Sequence, residues 1–217
     1  MAKSDPVIPI TAEDAGESLV EWFRRNSRQL AIGAMAVAAI AAIAFLWRAS
    51  AVKKEMRASE ALAAAQMVVQ SGNAALAQSD LQALIRRYDG TSSAIQGRML
   101  LAQVYFSQGK TDEGLRELDA IDSPGLYAAS VHGLRGAGLE QAGKPAEAAA
   151  AYEEASEAAD TPGAKANYRA DAARAYLAAG NTEAAKRIWT ELASDDTSPL
   201  SGEAKVRLGE LNAKPAG

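Results

Sequence analysis

The clearest feature of the hydropathy pattern is an uncharged stretch near the start of the chain. Residues 29–47, nineteen in all, carry no charge and lie between Arg28 and Arg48. As a helix they rise about 28 Å at 1.5 Å per residue, which nearly matches the hydrocarbon core of a bilayer, about 30 Å. Trp22 and Trp47 lie near the two ends, where amphipathic rings prefer the membrane interface. The pattern predicts a transmembrane helix over residues 29–47.

A cleaved signal peptide is the alternative interpretation, because Ala49-Ser50-Ala51 has the small residues of a processing site. The apolar stretch exceeds the usual length of about 7–15 residues. In addition, residues 1–28 are long and net acidic for a signal peptide, and Arg48 directly follows the apolar stretch. These features favour a retained helix.

Basic residues lie on both sides of the span, so charge leaves its orientation open. The basic segment 48–57 could contact anionic lipid headgroups. The favoured interpretation is that it flanks the span and sets the depth of the helix in the membrane. Within the span, Ala34, Ala38 and Ala42 recur every four residues, which would allow a second helix to approach closely. A plain anchor is the favoured interpretation, since small residues are abundant here.

The rest of the chain repeats with a period in the middle thirties. A glycine followed by Asn or Lys recurs at Gly72, Gly109, Gly143 and Gly180. Small residues precede these glycines by seven positions, at Ala65, Ala102, Gly136 and Ala173, and follow them by five, at Ala77, Gly114, Ala148 and Ala185. Large residues precede them by four, at Val68, Tyr105, Leu139 and Tyr176, and follow them by nine, at Leu81, Leu118, Tyr152 and Trp189. This pattern predicts four helical hairpins that stack on one another.

The connections between hairpins carry helix-starting residues. They are Asp122-Ser123-Pro124, Asp160-Thr161-Pro162, Asp196-Thr197-Ser198-Pro199 and the proline-free Asp89-Gly90-Thr91. Proline suits the first turn of a helix, and Ser or Thr can cap it. Residues 201–211 predict a final helix that closes the stack. The first unit, 58–88, is the weakest copy, and its first helix could instead continue the membrane helix.

Composition agrees with a helical protein and excludes several classes. The chain has 51 alanines, 6% aromatic residues, no cysteine and one histidine. Disulfide scaffolds, thiolate zinc sites and cysteine nucleophiles are therefore impossible. Residues 58–217 carry 15 basic and 21 acidic side chains, so that part lacks the positive charge that drives nucleic-acid binding.

The small–large–turn–small–large signature over residues 58–211 resembles the tetratricopeptide repeat. The resemblance implies an α-solenoid of about four hairpins with a cap helix. Together with the N-terminal transmembrane helix that the uncharged stretch predicts, the expected fold class is all-α. The expected segments are an N-terminal tail, partly disordered (1–28), the membrane helix (29–47), a basic linker or helix (48–57), the repeats (58–211) and a disordered C-terminus (212–217).

A narrower resemblance rests on short motifs in both parts of the chain. They are Val20-Glu21-Trp22-Phe23, Asn26, Leu30-Ala31-Ile32-Gly33, Leu134-Arg135-Gly136, Leu139, Gly143-Lys144, Ala148 and Tyr152-Glu153. These motifs are similar to the ancillary subunit family of the bacterial SecYEG translocon. That resemblance implies one inner-membrane helix, a cytoplasmic N-terminus and a periplasmic repeat domain. It also implies three kinds of partner: translocon subunits, a membrane-anchored periplasmic chaperone of the prolyl-isomerase type, and exported client proteins.

No catalytic constellation is evident, so we expect no enzyme activity, cofactor, metal, nucleic acid or small-molecule substrate. His132 is expected to be structural, since catalysis needs several convergent groups. Asp195 and Asp196 adjoin a helix boundary and are expected to act as caps, because a hard cation needs more oxygen ligands. The glycines at 133, 136 and 138 follow no predicted strand, which excludes a phosphate-binding loop.

Protein binding is the remaining class, and the first helices of the hairpins would line a concave groove for it. The residues expected there are Gln66, Val69, Gln103, Phe106, Glu140, Gln141, Arg174 and Leu177. Their mixture of amides, apolar groups and charges suits a peptide. The sequence predicts a non-enzymatic interaction module for protein export or folding, with a scaffold or assembly factor of another envelope complex as the alternative.

Overall fold

The structure, a computed structural model, describes residues 12–213, with side chains for Trp22 and residues 24–213. All regular structure in these residues is helical, as predicted. The α-helices are α1 (Ala12–Gln70), α2 (Ala74–Arg87), α3 (Ser92–Ser107), α4 (Thr111–Asp119), α5 (Ala128–Gln141), α6 (Pro145–Ala158), α7 (Pro162–Ala178), α8 (Thr182–Ser194) and α9 (Ser201–Asn212). A short 3-10 helix, Gly125–Tyr127, precedes α5.

Helix α1 contains several of the segments that the sequence separates. No proline occurs from Ala12 to Gln70, so nothing in the backbone forces a break. The predicted N-terminal tail is helical from Ala12 onward, and residues 1–11 lie outside the described residues, as do 214–217 of the predicted C-terminal tail. The two interpretations of the first repeat both hold, because the end of α1 continues the long helix and also pairs with α2.

The chain divides into two units, Met1–Lys53 and Lys54–Gly217. In the first unit the apolar side chains of the predicted span are bare: Ile40 is 67% exposed, Phe45 72% and Trp47 76%. Within the described residues, α1 is long and apolar enough to cross a membrane.

The second unit consists of hairpins whose turns follow the predicted glycines. Gly72, Gly109, Gly143 and Gly180 have φ of 78°, 73°, 72° and 78°, values in the left-handed region that favours glycine. The predicted caps form at Thr91 and Thr161, whose hydroxyls accept from the amides of Ala94 at 3.1 Å and Ala164 at 3.2 Å. The predicted closing helix is α9, which packs Ala204 against the preceding hairpin.

The small and large residues of the repeat form the core. The first two hairpins bury Leu62, Ala65, Leu81, Leu84, Ile85, Ala94, Leu101 and Val104 in one cluster. The last two hairpins and α9 bury a second cluster, in which ten of the fifteen described residues are alanine. The other five are Leu139, Tyr152, Ile188, Trp189 and Leu192.

Candidate protein-binding site

The eight residues expected in the groove lie on the first helices of the four hairpins, α1, α3, α5 and α7. Five side chains are exposed: Gln66, Gln103, Glu140, Gln141 and Arg174. Three are half-buried: Val69, Phe106 and Leu177. The exposed and half-buried residues have different roles in the structure.

The half-buried residues serve packing. Val69 and Leu177 lie against the first and second core clusters, respectively. The ring of Phe106 occupies the space that a side chain at Gly138 would need, because a Cβ atom added there would lie 2.5 Å from Cζ of the ring. The same ring lies against Gly114. Phe106 therefore joins α3, α4 and α5.

Gln141 also connects helices. Its Nε2 donates to the backbone carbonyl of Phe106 at 2.9 Å, an oxygen at the end of α3 that also accepts from the amide of Gly109 at 3.0 Å. Gln66 and Gln103, by contrast, make no side-chain hydrogen bond within residues 24–213. The unengaged amides among the expected residues are thus on the first two hairpins.

Arg174 is the centre of a charged group on α7 and α9. Its guanidinium donates to Asp171 and, at 3.1 Å, to Glu203. The guanidinium carbon also lies 5.9 Å from the ring centre of Trp189, a geometry that allows a cation–π interaction. Burial raises the pKa of Asp171, and the nearby Glu140 and Glu203 add to this, although Arg174 opposes the shift.

Glu140 extends this charged group to α5. Its carboxylate accepts from the hydroxyl of Tyr152 at 2.9 Å. Burial, followed by the bond to Glu140, raises the pKa of that hydroxyl. Arg174 thus pairs with carboxylates of α7 and α9, and Glu140 of α5 adds negative charge near Asp171. The sequence mapping identified only Glu140 and Arg174 of this group.

The residues considered for chemistry have structural partners. Nδ1 of His132 lies 2.9 Å from Oε2 of Glu154, but the two atoms do not have the geometry of a hydrogen bond. Asp195 accepts from the amide of Thr197 at 3.0 Å and from its hydroxyl, and these bonds lower the pKa of Asp195. Asp196 pairs with Lys205 at 2.9 Å. Among the described residues, no group of three or more His, Cys, Asp or Glu side chains is placed to hold a metal ion.

Three glycines of α5 lie beneath aromatic rings, and the repeat register identified only one of them, Gly136, as a position for a small residue. A Cβ atom added at Gly133 would lie 2.5 Å from the ring of Tyr168, and one at Gly136 would lie 2.7 Å from the ring of Tyr152. The ring of Phe106 packs against Gly138 in the same way, so three aromatic rings contact the glycines of α5. Glycine costs about 1 kcal/mol relative to alanine inside a helix, and for Gly133 and Gly138 that unfavourable cost was the only available sign of a packing role.

Comparisons with known proteins agree with this arrangement of hairpins. Residues 59–170 match the family model of the tetratricopeptide repeat-like domain. The chain belongs to this family. Residues 170–214 match the tetratricopeptide repeat, so the matches cover almost the whole predicted repeat region and confirm that resemblance. No curated protein matches the chain.

Two solved structures show the same fold at low sequence identity. A tetratricopeptide repeat protein from Parabacteroides merdae is 16% identical with a TM-score of 0.57, and the match covers 71% of this chain and 59% of that protein. BtubC from P. vanneervenii is 15% identical with a TM-score of 0.55, and the match covers 75% and 80% of the two chains. The chain thus spans less than two thirds of the first of these proteins. Tetratricopeptide repeats are protein-interaction modules, and the exposed helix faces of this repeat domain are its candidate binding surface.

Proposed function

We propose that this chain is a non-enzymatic, membrane-anchored interaction subunit of protein export. The anchor is residues 29–47, and the tetratricopeptide repeats lie in the periplasm beside the Sec translocon. There the repeats help to transfer newly exported chains to a membrane-anchored chaperone of the prolyl-isomerase type. The bacterial inner membrane is the proposed location.

One observation carries the proposal: a bare apolar helix and a protein-binding repeat domain occur in the same chain. The side chains of Ile40, Phe45 and Trp47 are at least two-thirds exposed, which is unfavourable in water and favourable in lipid. The family membership of residues 59–170 supports protein binding. The motif resemblance, from Val20-Glu21-Trp22-Phe23 to Tyr152-Glu153, supports the translocon as the site of action.

Co-purification from membranes tests the proposed partners. Full-length protein, solubilised in a mild detergent, is expected to retain translocon subunits and the chaperone, whereas a variant lacking residues 1–47 is expected to lose them. Absence of every Sec and chaperone subunit from the full-length sample would refute the proposal. One other envelope complex in a fixed ratio would instead establish the scaffold alternative.

Cysteine labelling tests the orientation separately, since the chain has no native cysteine. Ser107 is exposed on the repeats, and Ser4 precedes the span. In intact spheroplasts, a membrane-impermeant maleimide is expected to label Ser107→Cys and not Ser4→Cys. The opposite pattern would place the repeats in the cytoplasm.

A further inference from the structure

The arginines of the second unit fall into two groups. Each of the seven from Arg98 to Arg207 lies within 3.9 Å of a carboxylate. The three that precede them, Arg57, Arg86 and Arg87, are exposed and pair with no carboxylate in the part of the chain that the structure describes. Acidic side chains outnumber basic ones in this unit, so a shortage of carboxylates does not explain the unpaired group.

The fold brings the unpaired arginines to one end of the first hairpin. Helix α2 turns back along the end of α1, and its last residues are Arg86 and Arg87. The connection that follows contacts α1 directly, because Nζ of Lys54 donates to the backbone carbonyl of Asp89 at 2.6 Å. Arg57 follows Lys54 by three residues and therefore lies on the same side of α1. Basic residues of two helices thus meet at this end.

The same end lies close to the proposed membrane span. Lys54 follows Trp47, the last residue of the span, by seven residues, which is about 10 Å of helix. Whatever the inclination of the helix, Lys54 is at most about that far from the hydrocarbon core. The headgroup layer on each side of the core is about 5–8 Å thick, and long basic side chains extend toward it. The unpaired side chains are therefore within reach of lipid headgroups.

Charge favours lipid phosphate as the missing partner. Residues 48–57 and 86–89 together carry six basic and two acidic side chains, whereas residues 90–217 carry 13 basic and 18 acidic. One of those two acidic residues, Glu55, already accepts hydrogen bonds from two backbone amides at the start of α3. An anionic leaflet attracts the first group of residues and repels the second, and arginine binds phosphate oxygens in a bidentate manner.

We infer that Lys54, Arg57, Arg86 and Arg87 bind the phosphate groups of anionic phospholipids in the membrane that anchors the chain. This contact holds the first hairpin at the bilayer surface and leaves the later, acidic hairpins available for protein partners. The inference rests on the proposed membrane anchor and not on the translocon as partner. It adds to the basic segment 48–57 a second element, α2, which only the tertiary structure brings beside it.

Fluorescence quenching in reconstituted vesicles tests this inference. The chain has no native cysteine, so Ala83→Cys, at an exposed position one turn before Arg87, carries a single fluorophore in the full-length protein. The vesicles contain either phosphatidylcholine alone or equal parts of phosphatidylcholine and phosphatidylglycerol, with the same small amount of a phosphatidylcholine that carries a nitroxide on its headgroup. Quenching is expected to be at least threefold stronger with phosphatidylglycerol, and high salt is expected to remove the difference.

Two pairs of substitutions show whether the arginines cause this effect. Arg86→Gln/Arg87→Gln is expected to abolish the difference between the two lipids. Lys110→Gln/Lys144→Gln is the matched control, because it removes the same charge from two exposed residues beside the hairpin turns, and it is expected to retain the difference.

Three results would overturn the inference: equal quenching in the two lipids, as an acidic protein partner for these arginines would give, a full effect in the arginine variant, or an equal loss in the lysine control. Carbonate extraction of the vesicles tests the anchor separately. Protein that carbonate removes would refute the anchor and this inference with it, whereas anchored protein without the lipid effect would refute this inference alone.

Discussion

The two halves of the repeat domain solve the same packing problem with different side chains. Nine residues after the turn glycine, the first hairpin has Leu81 and the fourth has Trp189, and both are 0% exposed. Around Leu81 the core consists mainly of leucine, isoleucine and valine. Around Trp189 most of the buried residues are alanine.

The difference shows how a repeat tolerates changes in residue size. Aliphatic side chains of similar size interdigitate and distribute the buried area over many residues. Alanines let helix backbones approach closely, but each contributes little area, so a few aromatic rings must supply the remainder. The second half therefore relies on a few large side chains, Trp189 and Tyr152 among them, set among many alanines.

The largest expected effect comes from removing the main ring of the second half. Trp189→Ala should lower the free energy of unfolding by about 3–5 kcal/mol, because a fully buried ring leaves a cavity that alanines cannot fill. Urea denaturation followed by circular dichroism measures this change. Leu81→Ala, at the equivalent position, is expected to cost about 2–5 kcal/mol and less than Trp189→Ala. A larger loss at Leu81 would show that the halves do not differ as described.

The next effect tests whether glycine is required beneath an aromatic ring. Gly136→Ala should destabilise the protein by about 1–3 kcal/mol because the added methyl group collides with Tyr152. The double variant Gly136→Ala/Tyr152→Leu recreates the Ala65 and Leu81 pair of the first hairpin, and it should recover part of that loss.

A glycine without a neighbour provides the control for this experiment. No atom lies within 4 Å of a Cβ atom added at Gly209 in α9. Gly209→Ala should therefore stabilise the protein by up to about 1 kcal/mol through helix propensity alone. The packing explanation fails if Gly136→Ala behaves like Gly209→Ala.

A smaller effect distinguishes two kinds of glutamine on the expected groove: one whose side-chain amide joins helices and one whose side-chain amide makes no hydrogen bond. Gln141→Ala should cost about 0.5–1.5 kcal/mol, since it removes the hydrogen bond to the carbonyl of Phe106. Gln103→Ala should change the stability by less than about 0.5 kcal/mol, as is usual for unpartnered surface residues. Thermal denaturation of both variants measures the difference, and equal values would contradict these assignments.

The smallest effect concerns Glu55 and depends on pH. Burial raises the pKa of Glu55, but the hydrogen bonds from Ser93 and Ser92 outweigh it, so the net shift is downward. A lowered pKa adds stability above the ordinary value, about 4.3, and this stability disappears as the pH falls through the folded-state pKa. Glu55→Gln should therefore lower the Tm at pH 7, with a smaller difference near pH 4. A difference that does not depend on pH would exclude this account.

Sequence patterns were sufficient for the hairpins of the repeat and their order, but they divided the single helix α1 into separate segments. The uncharged stretch, the turn glycines and the caps at Thr91 and Thr161 act locally, so their signals lie within a few residues of each other. Stacking of hairpins follows from periodicity alone. For the expected groove, the same periodicity identified the helix faces. It could not show which side chains on those faces already pack against, or hydrogen-bond to, a neighbouring helix.

Only the tertiary structure decided the contacts between residues that are far apart in the chain. Phe106 lies against Gly138, and Gln141 binds the carbonyl of Phe106, which makes two of the expected groove residues structural. The sequence itself determined a membrane-length apolar helix and a helical repeat, because spacing along one chain governs both. Ring packing and the engagement of polar groups depend on which helices become neighbours, and no local pattern encodes those distances.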